Sequence, residues 1–127
     1  MAIETEVVAR LKSFAGTVAL CGSRVYPVVL TTDVSPAITY RRLSAVPEVS
    51  LDGSIALSSV QLELSAWASS YDVARSLADA IFAALDGWHN ESGVIVANVQ
   101  FGPDLYEPEV PDSMRFRCLV ECEVLAG

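Results

Sequence analysis

The alternation of apolar and polar positions is clearest between Ser69 and Gly87, SSYDVARSLADAIFAALDG. Val73, Ala74, Leu77, Ala78, Ile81 and Leu85 recur at helical spacing on one broad arc. Asp72, Arg75, Ser76, Asp79 and Asp86 share the opposite arc, which predicts a helix with one face for burial and one for water. Ser69 or Ser70 is placed to cap the first amides, and Asp72 stands where the helix dipole favours negative charge. Gly87 follows the last apolar position and can adopt the left-handed conformation that closes a helix. Alanines at 74, 78, 80, 83 and 84 leave a smooth surface that can approach a sheet closely.

Extended patterns flank this helix. Residues 2–15 first carry a shorter helical pattern, with Ile3, Val7, Leu11 and Phe14 on one side and a favourable Glu6–Arg10 pair. Gly16 and Gly22 bracket a loosely helical connection. Arg24 to Leu30, RVYPVVL, is β-rich, but Pro27 confines it to an edge or an irregular strand. Thr31 to Pro36 reads as a loop, then Ala37 to Val46 as a strand with Ile38 and Tyr40 opposed to Thr39 and Arg41. Asp52-Gly53 signals a turn before a long extended segment. There Val60, Leu62, Leu64 and Ala66 point inward, between Gln61, Glu63 and Ser65. Ile55 and Leu57 are out of phase with that set, which predicts a bulge or bend at Ser58-Ser59.

Beyond the helix, Trp88 to Gly93 reads as a polar turn and Val94 to Phe101 as a strand with Ile95, Ala97, Val99 and Phe101 on one face. Gly102 to Asp112, GPDLYEPEVPD, reads as an acidic loop. A last strand places Met114, Phe116, Cys118, Val120, Cys122 and Val124 inward, and Arg115, Arg117, Glu121 and Glu123 outward. The order is α-β-β-β-α-β-β. The fold class expected is α+β, a single domain over residues 1–127 with an antiparallel (mixed) β-sheet and two α-helices packed on one face.

Charge narrows the function. Sixteen acidic residues against eight basic ones give a net charge of −8, without a cluster of cations to grip nucleic-acid phosphates. No apolar run approaches the roughly 20 residues that span a bilayer, so no membrane partner is expected. Two glutamates stand near the N-terminus where a signal peptide carries positive charge, which predicts folding in the cytoplasm. Cys21, Cys118 and Cys122 read as buried free thiols. On one strand the last two would lie about 13 Å apart at roughly 3.3 Å per residue, too far to pair.

Chemistry is thin. His89 is the only histidine and falls in a turn, and nothing in the chain resembles a nucleophile elbow. One histidine and three scattered cysteines match no zinc spacing, and Asp104, Glu107 and Glu109 follow no calcium-loop pattern. Glu121 and Glu123 mimic a carboxylate pair, but Arg115 and Arg117 beside them suit an ordinary solvated or inter-subunit face. No catalytic, metal or cofactor residue is expected, and no cofactor. What remains is contact surface: Leu105 and Tyr106 in the acidic loop, Trp67 on the outward phase of its strand, and Arg41-Arg42, the only adjacent basic pair.

The ordered set SRVYPVVL, PAITYRRLS, LDG, VQLELSAWASSYDVARSLADAIFAALDG and DLYEPE, with its closing strand, resembles the tail-completion or tail-terminator family of tailed bacteriophages and of gene transfer agents. The resemblance runs from about Arg24 to Val124. It implies an α+β fold and a structural virion protein, assembled in the host bacterial cytoplasm. Its subunits would form a hexameric ring at the head-proximal end of the tail, stopping tube polymerisation and joining the tail to the head connector. The implied partners are further copies of the chain, the tail tube protein and a head-completion or connector protein, with DNA passing through the lumen without specific binding. An acidic lumen would keep that passage slippery. Opposite charge suggests Arg41 and Arg42 of one subunit meeting Asp104 or Glu107 of the next, testable by reversing both arginines to glutamate and scoring assembly on tails. Other readings are another neck or minor tail joining protein, a small soluble α+β enzyme acting through Asp or Glu, and a binding module outside the virion.

Overall fold

Helix α3 (Tyr71–Leu85) begins where its sequence places it. The Ser70 hydroxyl accepts the Val73 amide at 3.3 Å, and Gly87 follows the helix in the left-handed region at φ +71°. Ala74, Leu77, Ala78, Ile81, Ala84 and Leu85 are buried, so the apolar arc is the packed face. It lies on a five-stranded sheet in a computed structural model that describes residues 3–30, 34–49, 55–90, 93–108 and 114–126. The strands are β1 (Val25–Pro27), β2 (Ala37–Val49), β3 (Ile55–Ala68), β4 (Val94–Tyr106) and β5 (Phe116–Ala126), in the spatial order β1-β2-β3-β5-β4. The β1–β2 pair is parallel and every other pair antiparallel, so the sheet is mixed.

The described residues contain three helices where two were expected. The first pattern breaks at Phe14, whose extended backbone (φ −78°, ψ 126°) separates α1 (Ile3–Ser13) from α2 (Ala15–Cys21). The buried Thr17 hydroxyl donates to the carbonyls of Leu11 and Phe14, which braces the corner. Gly16 permits close approach there, since a Cβ would stand 3.0 Å from the Phe14 ring and 3.7 Å from Ala80. The small-residue α2, about two turns long, occupies the connection that reads as only loosely helical, because its apolar face repeats too few times to stand out. The expected Glu6–Arg10 pair does not form: Arg10 donates to the Ala84 carbonyl at 2.9 Å, and Glu6 accepts from Asn90 at 3.0 Å. These contacts tie α1 to the end of α3 and to the turn that follows it rather than to itself.

Val7, Leu11, Cys21, Ile38, Leu62, Leu64, Ala66, Val120, Cys122 and Val124 join the buried face of α3 in one core, so all three helices cover the same side of the sheet. Strand β3 keeps its predicted alternation, but its irregularities lie elsewhere. The β3–β5 ladder runs unbroken through Ser58 and Ser59, whereas β2 and β3 slip between Arg42 and Ser44 and again between Glu48 and Val49. The Asp52-Gly53 turn lies outside the described residues.

Strand β4 departs furthest from its predicted pattern. Val94 and Val96 are buried and Ile95 is exposed, the reverse of the expected phase. Between Ala97 and Gln100, β4 takes three steps where β5 takes two, with Asn98 at φ +52°. This bulge turns Val99 and Phe101 back toward the helices. A second bulge between Phe101 and Asp104 carries the strand on to Tyr106, so the first part of the predicted acidic loop is edge strand. Met114 also departs: it is buried just before β5, in a small cluster with Ala37 and Trp67 rather than in the helix-side core.

A Cβ on Gly102 would stand 2.9 Å from the Leu119 Cβ, so the second bulge is built around an absent side chain. Gly102→Ala is expected to lower unfolding free energy by about 1–3 kcal/mol in denaturant titration. Leu77→Ala, in the centre of the α3 face, should cost about 2–5 kcal/mol by the same measurement.

Candidate assembly surfaces

The sheet face away from the helices is polar, and much of it is closed over. Glu63, 6% exposed, accepts from Arg41 Nε at 3.0 Å and Arg41 Nη2 at 3.2 Å on one side, and from Arg117 Nη2 at 3.2 Å on the other. Arg117 also donates to Ser65 at 2.9 Å and pairs with Glu107 at 3.4 Å. Its guanidinium lies 4.9 Å from the Trp67 ring centroid, a cation–π distance. Trp67 Nε1 donates to the Thr39 hydroxyl at 2.9 Å, and Tyr26 and Leu30 pack against its cluster. At 8% exposure Trp67 is on the predicted outward phase but roofed by its own protomer, leaving little of it for a partner. Further along the face, Gln61 donates to Glu123 and Gln100 to Glu121, which keeps two carboxylates on the surface.

The β4 edge presents aromatic groups held in place. Phe101 is 42% exposed, with its ring stacked on Phe82 of α3 at 4.7 Å and the Arg75 guanidinium 4.3 Å from its centroid. Arg75 is itself fixed by Asp79 at 3.2 Å and Asp104 at 3.6 Å. The Tyr71 hydroxyl donates to Asp104 at 2.7 Å, and the exposed Tyr106 ring packs on Phe116 at 5.3 Å. Leu105 is exposed on the opposite phase of the strand.

The other end of the sheet offers a different surface. Beyond β1, Val28 stands at φ +60°, a conformation that costs a non-glycine residue roughly 1–2 kcal/mol. Its amide still donates to the Tyr40 carbonyl at 2.8 Å, and the Val29 amide turns back to the Pro27 carbonyl, closing a γ-turn. The turn leaves Val28 and Val29 69% and 62% exposed.

Among the described residues no group of three or more His, Cys, Asp or Glu side chains could hold a metal ion, and His89 is exposed beside Ile95. The described helices include none long and apolar enough to cross a membrane. Over residues 5–125 the sequence matches the family described as Tail completion protein gp17. The chain belongs to that family. A comparison with curated proteins returned no match. Among solved structures, a chain from the virion of a native gene transfer agent (GTA) particle is similar in fold, with a TM-score of 0.60 at 20% identity. The likeness covers 95% of this chain and 92% of that one. The tail-completion resemblance read from the sequence is therefore correct, and the protein is a structural component of a virion tail.

The predicted contact residues fall on separate parts of this tail protein. Arg41 and Arg42 lie on β2, where they hold Glu63 and Glu4. Asp104, Leu105 and Tyr106 lie at the β4 edge, with Glu107 immediately after it on Arg117. All four charged groups are paired inside one protomer. Reversing Arg41 would strip a partner from buried Glu63, so the fold would respond before any contact between subunits. The exposure of Val28, Val29 and Phe101 was not foreseen. Two adjacent valines after a proline carry no periodic signal, and Phe101 is set at the rim by bulges that leave no mark in hydropathy.

Hydrogen bonding from Tyr71 holds the Asp104 carboxyl below its usual value, and the same bond raises the Tyr71 hydroxyl above its own. A lowered acid stabilises the fold above about pH 4 and loses that contribution as pH falls through its folded value. A raised phenol stabilises it below about pH 10 and loses that contribution as pH rises through its folded value. Tyr71→Phe should therefore lower stability by a constant small amount between these limits, with the difference shrinking beyond both, as read from melting temperature against pH.

Proposed function

We propose that the chain is a subunit of a ring at the head-proximal end of the tail, where it ends tube polymerisation and presents a surface to the head connector. The observation that carries this reading is the pair of unlike exposed surfaces on opposite edges of one sheet. A closed ring is built from heterologous contacts, so each subunit needs two different patches facing away from each other. The valine turn beside β1 and the aromatic rim of β4 meet that requirement. Membership of the tail completion family supports a place in the tail. A hexamer, with the tube protein below and a connector protein above, is the assembly this reading expects.

Glu121 and Glu123, held by amides rather than by arginines, suit a face that lines the bore and repels DNA phosphates. A ring structure with a lysine- or arginine-lined bore would overturn that assignment. The enzyme reading gains nothing from the geometry. A general acid needs a raised carboxyl, whereas Asp104 is lowered by Tyr71. A second joining role in the neck shares the family support and differs only in what its loss does to tail length.

Deleting the gene separates these roles by electron microscopy of the particles. Filled heads beside unattached tails of abnormal length are the expected result. Unattached tails of normal length would instead assign the chain to joining alone, and normal joined particles would remove both roles.

A further inference from the structure

The two edge surfaces stand at the same level of the sheet. Pro27 pairs with Tyr40, Tyr40 with Leu64, Leu64 with Val120, and Val120 with Phe101. One row of residues thus runs from the start of the valine turn at one edge to the aromatic rim at the other. A closed ring repeats by rotation without translation. When its axis follows the strands, only surfaces at equal height can meet. The charged pairs suggested by sequence fail this condition: Arg41 shares its row with Glu63, Glu121 and Gln100, whereas Asp104 shares its row with Cys118, Ala66 and Ile38. Those rows are three residues apart on β2, about 10 Å along the strand.

Resting on the ring reading, we propose that the Val28–Val29 turn of one copy packs on the Phe101 rim of the next. The chemistry matches on both sides. The turn is a small, apolar, exposed projection whose strained residue makes no use of its side chain within the protomer's core. The rim is an exposed ring immobilised by Phe82 and Arg75, so little ordering remains to oppose docking. Arg24, which donates to the Pro36 carbonyl at 2.8 Å, lies one residue before Val25, and Val25 shares the row of Asp104. Tyr71 and Arg75 already hold Asp104, so a cation and a carboxylate stand beside the apolar contact at nearly one height without having to pair. The contact is made by side chains. Pro103 and two bulges on β4, with Pro27 on a three-residue β1, disfavour joining the sheets through backbone hydrogen bonds.

Paired cysteines test the contact in assembled tails. Val29→Cys with Phe101→Cys in one chain should give a ladder of disulfide-linked oligomers on mild oxidation, while either substitution alone should give none. The chain present in tails without a ladder would overturn the contact and leave the ring reading standing. A ladder from Val29→Cys alone would also overturn it, because that result belongs to a two-fold contact. Wild-type chain absent from tails would overturn the ring reading and this contact together. Val28→Gly separates folding from docking. Glycine suits the positive φ, so the protomer should melt no lower than wild type, while incorporation with Val29→Asp added should fall about tenfold or more. Full incorporation of that double variant would refute the proposal.

Discussion

A carboxylate removed from water must be answered by charge, and Glu63 is answered from both sides. Arg41 reaches it from β2 and Arg117 from β5, and Arg117 then extends to Glu107 past the end of β4. Removing either partner leaves a buried carboxylate with only half of its compensation, so the two arginines act as one clamp. The arrangement is therefore specific to one register: a slip of a single residue would turn Glu63 toward the helices. The sheet's outer face, the roof over Trp67 and the relative height of its two edges all follow from that register being fixed.

Opposite the clamp, the sheet is held by shape. Alanines of α3 let the helix settle close to β3 and β5, and Gly16 lets α2 settle close to α3. The two faces divide the labour: packing on the helix side supplies most of the burial, and polar contacts on the other side supply specificity. The rims are left with exposed apolar groups, Val28 and Val29 at one and Phe101 and Tyr106 at the other. This division fits a structural component of a virion tail.

Much of this was legible beforehand. Helix α3 declared itself because period, cap and terminator agree, and β3 and β5 because strict alternation sustained over many residues suits a strand and fits no helix. Cys118, Cys122 and the inward residues around them fell where that alternation put them. Strand β4 was not legible, since each bulge adds one residue and reverses the phase that hydropathy reads. Trp67 misled for a different reason. Its position on the outward phase was right, but Tyr26, Leu30 and Met114, distant in sequence, come to cover it. Arg41 and Arg42 read as contact surface because Glu63 and Glu4, which hold them, are far along the chain, and sequence proximity is how charge pairs are recognised.

The three sulfhydryls have a consequence for the life of the particle. All are buried, and burial pushes Cys118 and Cys122 up to about 12, with the nearby Asp104 carboxylate adding to the first. A thiolate, not a thiol, is the species that oxidants and other disulfides attack. A virion leaves a reducing cell for an aerobic exterior and can wait there a long time before it meets a host. Buried sulfur held in its protonated form is poorly placed to take part in such exchange. A tail component built this way is left chemically as it was when the cell made it.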